Sequence, residues 1–367
     1  MSKDTLTHEI AIKVFREFFR EKPFVIFGTG TSCALDSRFG MDALRKELVD
    51  RVPRLSLTLT QQEQWEVVVQ SLLSGADLES SLDYVIDNAL LQRITTITGS
   101  FIASIDREHA LQIANGSIEW PATTYLKRQV DKLPEGDRTL HVLTPNYDML
   151  FEHSCDRAGI CYTNGFTGGV ERRSDWDAVG RALLSPEQVY IRGRMTTIYT
   201  KYRKHIRLYK VHGSLNYFFH REAVIENNAW MWNPPDFAER VMITPGLSKY
   251  QTLQRYRQEL QSKADIAIEH EHHFLFLGYG FNDRHIEEYI KRKLVRQNCA
   301  GLIITRDFNP RIGALLSQAE NLWLVCKLED KGSNGTRIFN IKYTDWLLLP
   351  GKNFWDISEF TKEVLGG

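Results

Sequence analysis

Short apolar segments that end abruptly in glycine-rich or polar turns are the feature of this sequence that most restricts its fold. The clearest is Phe24–Phe27, which runs directly into Gly28-Thr29-Gly30-Thr31-Ser32. Comparable runs lie at Leu140–Leu143, Leu208–Val211 and Phe274–Leu277, with stretches of helical spacing between them. Short buried strands that alternate with helices predict a doubly wound, mostly parallel α/β sheet.

The pattern also indicates how the chain is divided. Further strand candidates lie at Val241–Thr244, Leu302–Thr305 and Leu322–Cys326. Strand signals nearly vanish between residues 41 and 136, where helical spacing persists, so this segment is interpreted as a helical insertion. We therefore expect a Rossmann-like domain over residues 1–330, interrupted by the insertion at about 41–136, and a carboxyl-terminal extension over residues 331–367.

Charge and composition exclude several classes of protein. Lysine plus arginine equals aspartate plus glutamate at 46 each, so no net charge attracts the chain to nucleic acid or to an anionic membrane. No run approaches the roughly 20 apolar residues that span a bilayer. The five cysteines are scattered singly, which is typical of reduced core residues. A cytoplasmic protein without membrane contact is expected.

A basic, tyrosine-rich stretch at residues 192–210 allows three interpretations. It could contact phosphate, form a subunit interface, or be a solvated hairpin with long basic side chains, and the hairpin is favoured.

Polar motifs follow four of the predicted strands, at the edge where open α/β sheets bind ligands. Glycines at 28 and 30 allow backbone amides to approach a diphosphate, although a glycine turn is often only a turn. Asn146 and Asp148 follow the second strand and should face one pocket, because side chains alternate in extended chain. The alternative is that Asp148 only caps the next helix.

The other two motifs supply a histidine and a second glycine turn. His212, in Lys210-Val211-His212-Gly213-Ser214, is able to hydrogen-bond a sugar hydroxyl at neutral pH, although a lone histidine is more often structural. The last motif is Gly278-Tyr279-Gly280-Phe281-Asn282-Asp283, in which an aromatic ring could stack and Asn282 and Asp283 could take hydroxyls.

Taken together and in this order, the four motifs resemble the sirtuin (silent information regulator) family. The forms Thr-x-Asn-Tyr-Asp, Lys-x-His-Gly-Ser and Gly-Tyr-Gly-Phe-x-Asp look like the bacterial branch found in anti-phage defence. The resemblance covers about Phe24 to Thr305 and implies a site that binds NAD. It implies that Asn146 orients water at the scissile sugar carbon, that His212 engages the nicotinamide ribose and that Asp148 holds the carboxamide.

The remaining residues of the implied site surround the rest of NAD. The resemblance places the first loop at the phosphates and adjoining ribose, and the last loop over the adenosine side. The cofactor-binding residues it implies are Gly28, Thr29, Gly30, Thr31, Ser32, Asp148, Gly278, Tyr279, Asn282 and Asp283.

One departure from the family bears on activity. Protein-deacylating sirtuins usually carry a four-cysteine zinc ribbon after the His-Gly element, and this chain has no cysteine there, so no zinc is expected. The dense run Glu269–His273 could bind a metal, but a polar junction explains it at least as well. The resemblance therefore favours an NAD hydrolase over a deacylase or ADP-ribosyltransferase, with a nucleotide-sensing subunit as the third possibility.

Partners also follow only from the resemblance. Related defence proteins assemble into oligomers, and short chains of this kind are encoded with a HerA-type hexameric ATPase. A homo-oligomer, such an ATPase, and nucleic acid reached through it are the expected partners. The implied role is that of an abortive-infection effector, activated in a complex.

Overall fold

A nine-stranded sheet forms the centre of the computed structural model, which describes residues 4–242, 249–329 and 334–366. The strands of the described residues are β1 (Phe24–Phe27), β2 (Thr139–Thr144), β3 (Tyr162–Thr163), β4 (Phe166–Gly168), β5 (Arg172–Ser174), β6 (Leu184–Ile191), β7 (Arg194–Tyr202), β8 (His205–Lys210), β9 (Gly213–His220), β10 (Ala223–Glu226), β11 (Glu239–Met242), β12 (His273–Leu277), β13 (Ala300–Thr305), β14 (Leu322–Lys327), β15 (Gly335–Phe339) and β16 (Leu347–Pro350).

Helices cover both faces of this sheet. They are α1 (His8–Phe18), α2 (Thr29–Cys33), α3 (Met41–Arg51), α4 (Leu59–Leu73), α5 (Leu78–Leu82), α6 (Asn88–Ala114), α7 (Thr123–Asp131), α8 (Leu150–Ala158), α9 (Trp176–Ala182), α10 (Lys249–His270), α11 (Arg284–Lys291), α12 (Pro310–Leu316) and α13 (Ile357–Leu365). None of these helices is long and apolar enough to cross a membrane.

The order of the strands confirms the predicted doubly wound fold. Across the sheet they run β16-β15-β14-β13-β12-β1-β2-β8-β3, and the seven from β14 to β3 are parallel. β1 is central, with β2 on one side and β12 on the other. The chain therefore reverses its direction of travel across the sheet at β1, and this is where such sheets bind ligands.

Burial on both faces explains why β1 reads as a continuous apolar run. Val25 and Phe27 pack into a cluster with residues of α1, α6, α7, α8 and α13. Phe24 and Ile26 pack on the other face, with residues of α10, α11 and α12. All four side chains are buried, as expected for a parallel strand covered on both sides.

A second, antiparallel sheet holds the strand predicted at Val241–Thr244. Its order is β11-β9-β10-β5-β4, and the described part of the predicted strand, Val241 and Met242, belongs to β11. Residues 243 and 244 lie outside the described residues. The apolar run alone does not show which sheet it joins. Its partner is β9, which begins at Gly213, a glycine with φ 86° that follows β8.

The segment between the glycine loop and β2 is helical. Residues 41–131 are all described, and they contain α3 to α7 and no strand. Apolar side chains of α3, α4, α5 and α6 form a separate cluster that includes Leu48, Val68 and Leu91. This helical insertion therefore has a core of its own, and the long α6 connects it to the main sheet.

Two segments outside the central strands complete the fold. The basic stretch lies mostly in the hairpin β6–β7, which pairs only within itself among the described strands and exposes Met195, Ile198 and Tyr199. After residue 334, β15 and β16 extend the main sheet by antiparallel pairing, and α13 packs on α1 and α7.

Candidate functional site

The loops that follow β1, β2, β8 and β12 lie at one edge of the main sheet. These four strands are adjacent and parallel, so their carboxyl ends point the same way. The four polar motifs of the sequence follow these ends. The fold therefore brings them together, as expected for a doubly wound sheet.

Glycines join the first and last of these loops. The amide of Gly28 donates to Leu277 O (2.9 Å) and that of Gly30 to Gly278 O (3.0 Å). A Cβ on Gly28 would lie 2.4 Å from Gly278 O, and a Cβ on Gly278, whose φ is 56°, would lie 2.6 Å from the amide nitrogen of Thr31. The glycines thus allow the two loops to pack backbone against backbone.

The amides of the first loop were expected to face a diphosphate, and three of them have acceptors within the protein. Gly28 and Gly30 donate to the last strand and loop, and the amide of Thr31 donates to Gly28 O (3.1 Å). The Thr31 hydroxyl also donates to Gly28 O (2.8 Å). These amides already have acceptors, because the turn closes on itself and on Gly278.

Asn146 connects the second motif to the first loop. Its Nδ2 donates to Gly28 O and to Ser32 Oγ, at 3.1 Å each, and its backbone amide donates to Thr144 Oγ1 (3.1 Å). Its Oδ1 is buried and has no hydrogen-bond partner in the described part of the chain. The side chain is thus held at its nitrogen and leaves an acceptor available.

Asp148 is buried beside the same loop. Its Oδ2 accepts from Ser32 Oγ (2.8 Å), and its Oδ1 accepts from the amide of Leu150 at the start of α8 (3.3 Å). Burial raises the pKa of the Asp148 carboxyl to about 6, although the charge of Lys210 acts in the opposite direction. Asp148 therefore contacts Ser32 of the first loop and also the first residue of the following helix.

Lys210 fixes the loop that carries Asn146 and Asp148. Its ammonium group is 1% exposed, lies 2.9 Å from Glu152 Oε1 and donates to the backbone oxygen of Asp148 (2.6 Å). A buried ion pair of this kind is costly to break by removing one partner. Lysine at the end of the buried strand β8 therefore ties the loop to helix α8.

His212 and Asp283 bring the third and fourth motifs together. Nε2 of His212 lies 2.5 Å from Oδ2 of Asp283, and both side chains are largely buried. Gly213 permits this position, because a Cβ there would lie 2.1 Å from Val241 O. The resemblance placed Asp283 on the adenosine side, whereas the structure places its carboxylate against the histidine implied for the nicotinamide ribose.

The other residues of the last motif pack against apolar neighbours or face solvent. Tyr279 is buried and packs with Phe276 and Phe281 in an aromatic cluster, so neither ring of the motif is exposed for stacking. Asn282 is exposed, and its Oδ1 accepts from Arg311. Phe281 has a φ of 56°, a backbone strain that is common at functional sites.

Comparison with known families gives a match to part of the chain. Residues 140–321 match the SIR2-like domain. The match supports the predicted resemblance to sirtuins and an NAD-related function, because SIR2-like domains use NAD. No curated protein matches the chain.

The SIR2-like match contains three of the four motifs. Asn146, Asp148, His212 and Asp283 lie inside it, whereas the loop at residues 28–32 and the helical insertion precede it. The hydrogen bonds of Asn146 and Gly278 to the first loop show that this loop belongs to the same site.

Glu79, from the helical insertion, is a carboxylate with an unusual pKa that the sequence did not reveal. It lies on α5, is partly buried, and interacts electrostatically with His212 and Asp283. Burial raises the pKa of its carboxyl to about 7, and the charge of Asp283 adds to this while that of His212 opposes it. No motif marks Glu79, which lies outside the SIR2-like match.

Asp106 and Trp120, also before the SIR2-like match, support the loops of the site. Asp106 is fully buried on α6 and accepts hydrogen bonds from the amide of Met149 (2.7 Å) and from Trp232 Nε1 (3.0 Å). Trp120 Nε1 donates to Thr31 O (3.0 Å). Asp106 shares the buried face of α6 with apolar residues such as Ile102 and Ile105, and no local motif in the sequence singles it out.

Metal ligands do not gather in the part of the chain that the structure describes. No group of three histidine, cysteine, aspartate or glutamate side chains there could hold a metal ion. In the run Glu269–His273, Glu269 pairs with Arg292, and His272 Nδ1 lies 3.8 Å from Cys299 Sγ. These contacts fit the interpretation of the run as a polar junction between α10 and β12.

Proposed function

We propose that this chain hydrolyses NAD at the bond between nicotinamide and ribose, giving nicotinamide and ADP-ribose. The observation that carries the proposal is the state of Asn146. Its Nδ2 is held by Gly28 O and Ser32 Oγ, whereas its buried Oδ1 has no partner in the described part of the chain. An immobilised amide with one unused acceptor is suited to hold and orient a water molecule.

The reaction needs little covalent chemistry from the protein. The water oxygen forms a bond to ribose C1′ while the bond from C1′ to the nicotinamide nitrogen breaks. The electron pair of that bond goes to the nicotinamide ring, which leaves without charge, and the water gives up one proton to solvent. Positive charge develops on the sugar in between, so preorganised polar groups at this point accelerate the reaction.

The neighbouring side chains have roles that fit this charge. His212 would engage the nicotinamide ribose, and Asp283, 2.5 Å from its ring, would hold the imidazole in place. Asp148 would hold the carboxamide. Thr29, Ser32 and the loop at residues 278–283 would surround the rest of the dinucleotide.

The setting we propose follows the resemblance to defence proteins. Uncontrolled loss of NAD kills a cell, so the enzyme would act as an abortive-infection effector that is activated in a complex. A homo-oligomer with a HerA-type hexameric ATPase, reaching nucleic acid through that ATPase, is the assembly we propose.

The test is incubation of the purified protein with NAD, with and without the ATPase and DNA, while chromatography follows nicotinamide and ADP-ribose. We expect Asn146→Ala and His212→Ala each to lower turnover by roughly 100-fold or more, the usual effect of removing a preorganised polar group. Asn88→Ala, an exposed asparagine on α6, is the matched control and should keep full activity.

Other outcomes would identify the alternatives. NAD consumption that depends on an acetylated or other acceptor protein would indicate a transferase. Binding of NAD without its consumption under every condition would replace the hydrolase with a nucleotide-sensing role. Full turnover by Asn146→Ala would remove this residue from the mechanism.

A further inference from the structure

A cleft of about 610 Å³ lies at the edge of the main sheet opposite the four motifs. Its walls come from α1, α7 and α13 and from the segments that lead into β1 and β2. These segments enter the strands at their amino ends, whereas the four motifs follow the carboxyl ends. The cleft is therefore separate from the proposed NAD site.

The charges that line the cleft are mostly of one sign. Among the lining residues that the structure describes, four are basic and one is acidic, namely Arg16, Arg20, Lys22, Lys132 and Glu21. Lys22 is neutralised, because its Nζ forms an ion pair with Asp137 and lies 3.5 Å from Glu271. The other three basic residues form no ion pair in the described part of the chain. Such a cleft concentrates anions from solution.

Arg16 and Gln129 supply hydrogen-bond donors beside these charges. Nε of Arg16 donates to Val364 O (3.2 Å), which holds the guanidinium next to α13. Gln129, on α7, is 5% exposed, and its buried Nε2 has no hydrogen-bond partner in the described residues. A buried donor without an acceptor is costly. A bound molecule with an acceptor atom would remove this cost.

The rest of the cleft is apolar. Phe19, Leu133 and Val364 line it and are buried, and Pro134 lines it at the surface. The volume lies within the range of roughly 300–1,000 Å³ that is usual for sites of small organic ligands. Basic side chains combined with an apolar wall suit a molecule that carries both an anionic group and a flat ring. A nucleoside phosphate has both.

We propose that this cleft is a second ligand site, which binds a nucleoside phosphate with its phosphates at Arg20 and Lys132 and its base against the apolar wall. Hydrogen bonds from arginine and lysine to phosphate are charge-assisted and therefore strong. Gln129 Nε2 would donate to an acceptor of the same ligand. The inference does not depend on NAD hydrolysis, because none of these residues belongs to the proposed NAD site.

The experiment is calorimetric titration of the full chain with ADP. We expect the double variant Arg20→Ala/Lys132→Ala to bind ADP about 100-fold more weakly, at about tenfold for each charged hydrogen-bond donor removed. The control removes the same number of charges from the same region. It is Lys13→Ala/Lys362→Ala, two exposed lysines on α1 and α13 that do not line the cleft, and it should keep the wild-type affinity.

Gln129→Met tests the buried donor separately. Methionine keeps the length of the side chain and removes an amide that has no partner, so thermal unfolding should show no loss of stability. ADP binding should weaken about tenfold, the usual effect of losing one hydrogen bond to a charged group. An unchanged affinity would contradict the contact between Gln129 and the ligand.

Further outcomes decide between this site and other sources of binding. ADP binding that Asn146→Ala abolishes and Arg20→Ala/Lys132→Ala retains belongs to the proposed NAD site, and it would overturn the inference. So would a lack of ADP binding while a short DNA duplex binds through Arg20 and Lys132. Pyrophosphate, which has the charge without the base, should bind roughly tenfold more weakly than ADP or worse, because it buries no apolar surface. Equal affinities would overturn the assignment to a nucleoside phosphate.

Discussion

Replacing Glu79 with glutamine should stabilise the protein in a pH-dependent way. Burial and Asp283 raise the pKa of this carboxyl from its usual 4.5 to about 7. A group whose pKa is raised by folding favours the folded state at low pH, and that contribution is lost as the pH rises through 7. Above pH 8 the wild type therefore carries the cost of an ionised, partly buried carboxylate, and the amide does not.

The size of the effect follows from the two pKa values. Their difference is about 2.5, and at ~1.4 kcal/mol for each pH unit the upper limit is about 3.5 kcal/mol. Because Glu79 is partly exposed, solvent screening reduces this, and we expect about 2 kcal/mol. Near pH 5 the Glu79 carboxyl of the folded wild type is mostly protonated, and it is then neutral like the glutamine amide of the variant. The stability difference between the two proteins should therefore fall below ~1 kcal/mol.

Urea unfolding of both proteins at pH 5 and pH 8.5, followed by tryptophan fluorescence, measures this difference. Glu63→Gln, on the same insertion but exposed, serves as the control for a generic loss of negative charge. A stability difference that is the same at both pH values would refute the reasoning. So would a wild type that is the more stable protein at pH 8.5.

Three further substitutions test the structure around the site. Gly278→Ala should cost about 2–4 kcal/mol in urea unfolding, because its φ is 56° and a Cβ would meet backbone at 2.6 Å, whereas Gly136→Ala, in open space, should cost almost nothing. Lys210→Met should lower thermal stability by about 3–5 kcal/mol, since it leaves Glu152 buried without its cation; a change below ~1 kcal/mol would contradict the buried pair. Asp106→Asn should cost about 1–3 kcal/mol at pH 7. Burial alone would raise the pKa of Asp106, but hydrogen bonds hold this pKa low. The cost of Asp106→Asn, measured by urea unfolding, should therefore shrink as the pH falls below about 4. A cost that stays the same below pH 4 would contradict this prediction.

The strand ends of the main sheet were predictable from the sequence, because local patterns determine them. Phe24–Phe27 is exactly β1, and the runs that predicted β2, β8 and β12 overlap the observed strands. Parallel strands buried on both faces give continuous apolar runs, and the polar motifs follow directly after them. The grouping of Asn146 and His212 at one edge follows from that pattern alone.

Contacts between distant segments were not predictable. Asp77, which caps a five-residue helix, pairs with Arg311, far away in sequence, and nothing local marks this pairing. The two glycine loops show the same limit. Residues 28–32 suggested a turn around a ligand, but the hydrogen bonds of Gly28 and Gly30 go to residues 277 and 278, a pairing that only the completed sheet creates.

The glycine contact between the first and last loops has a mechanical consequence. Peptide backbone touches peptide backbone there, without a flexible side chain to absorb movement. A displacement of residues 28–32 is therefore transmitted to residues 278–283, and from Asp283 to the ring of His212. The first and last loops are therefore coupled through main chain and not through side-chain rotamers.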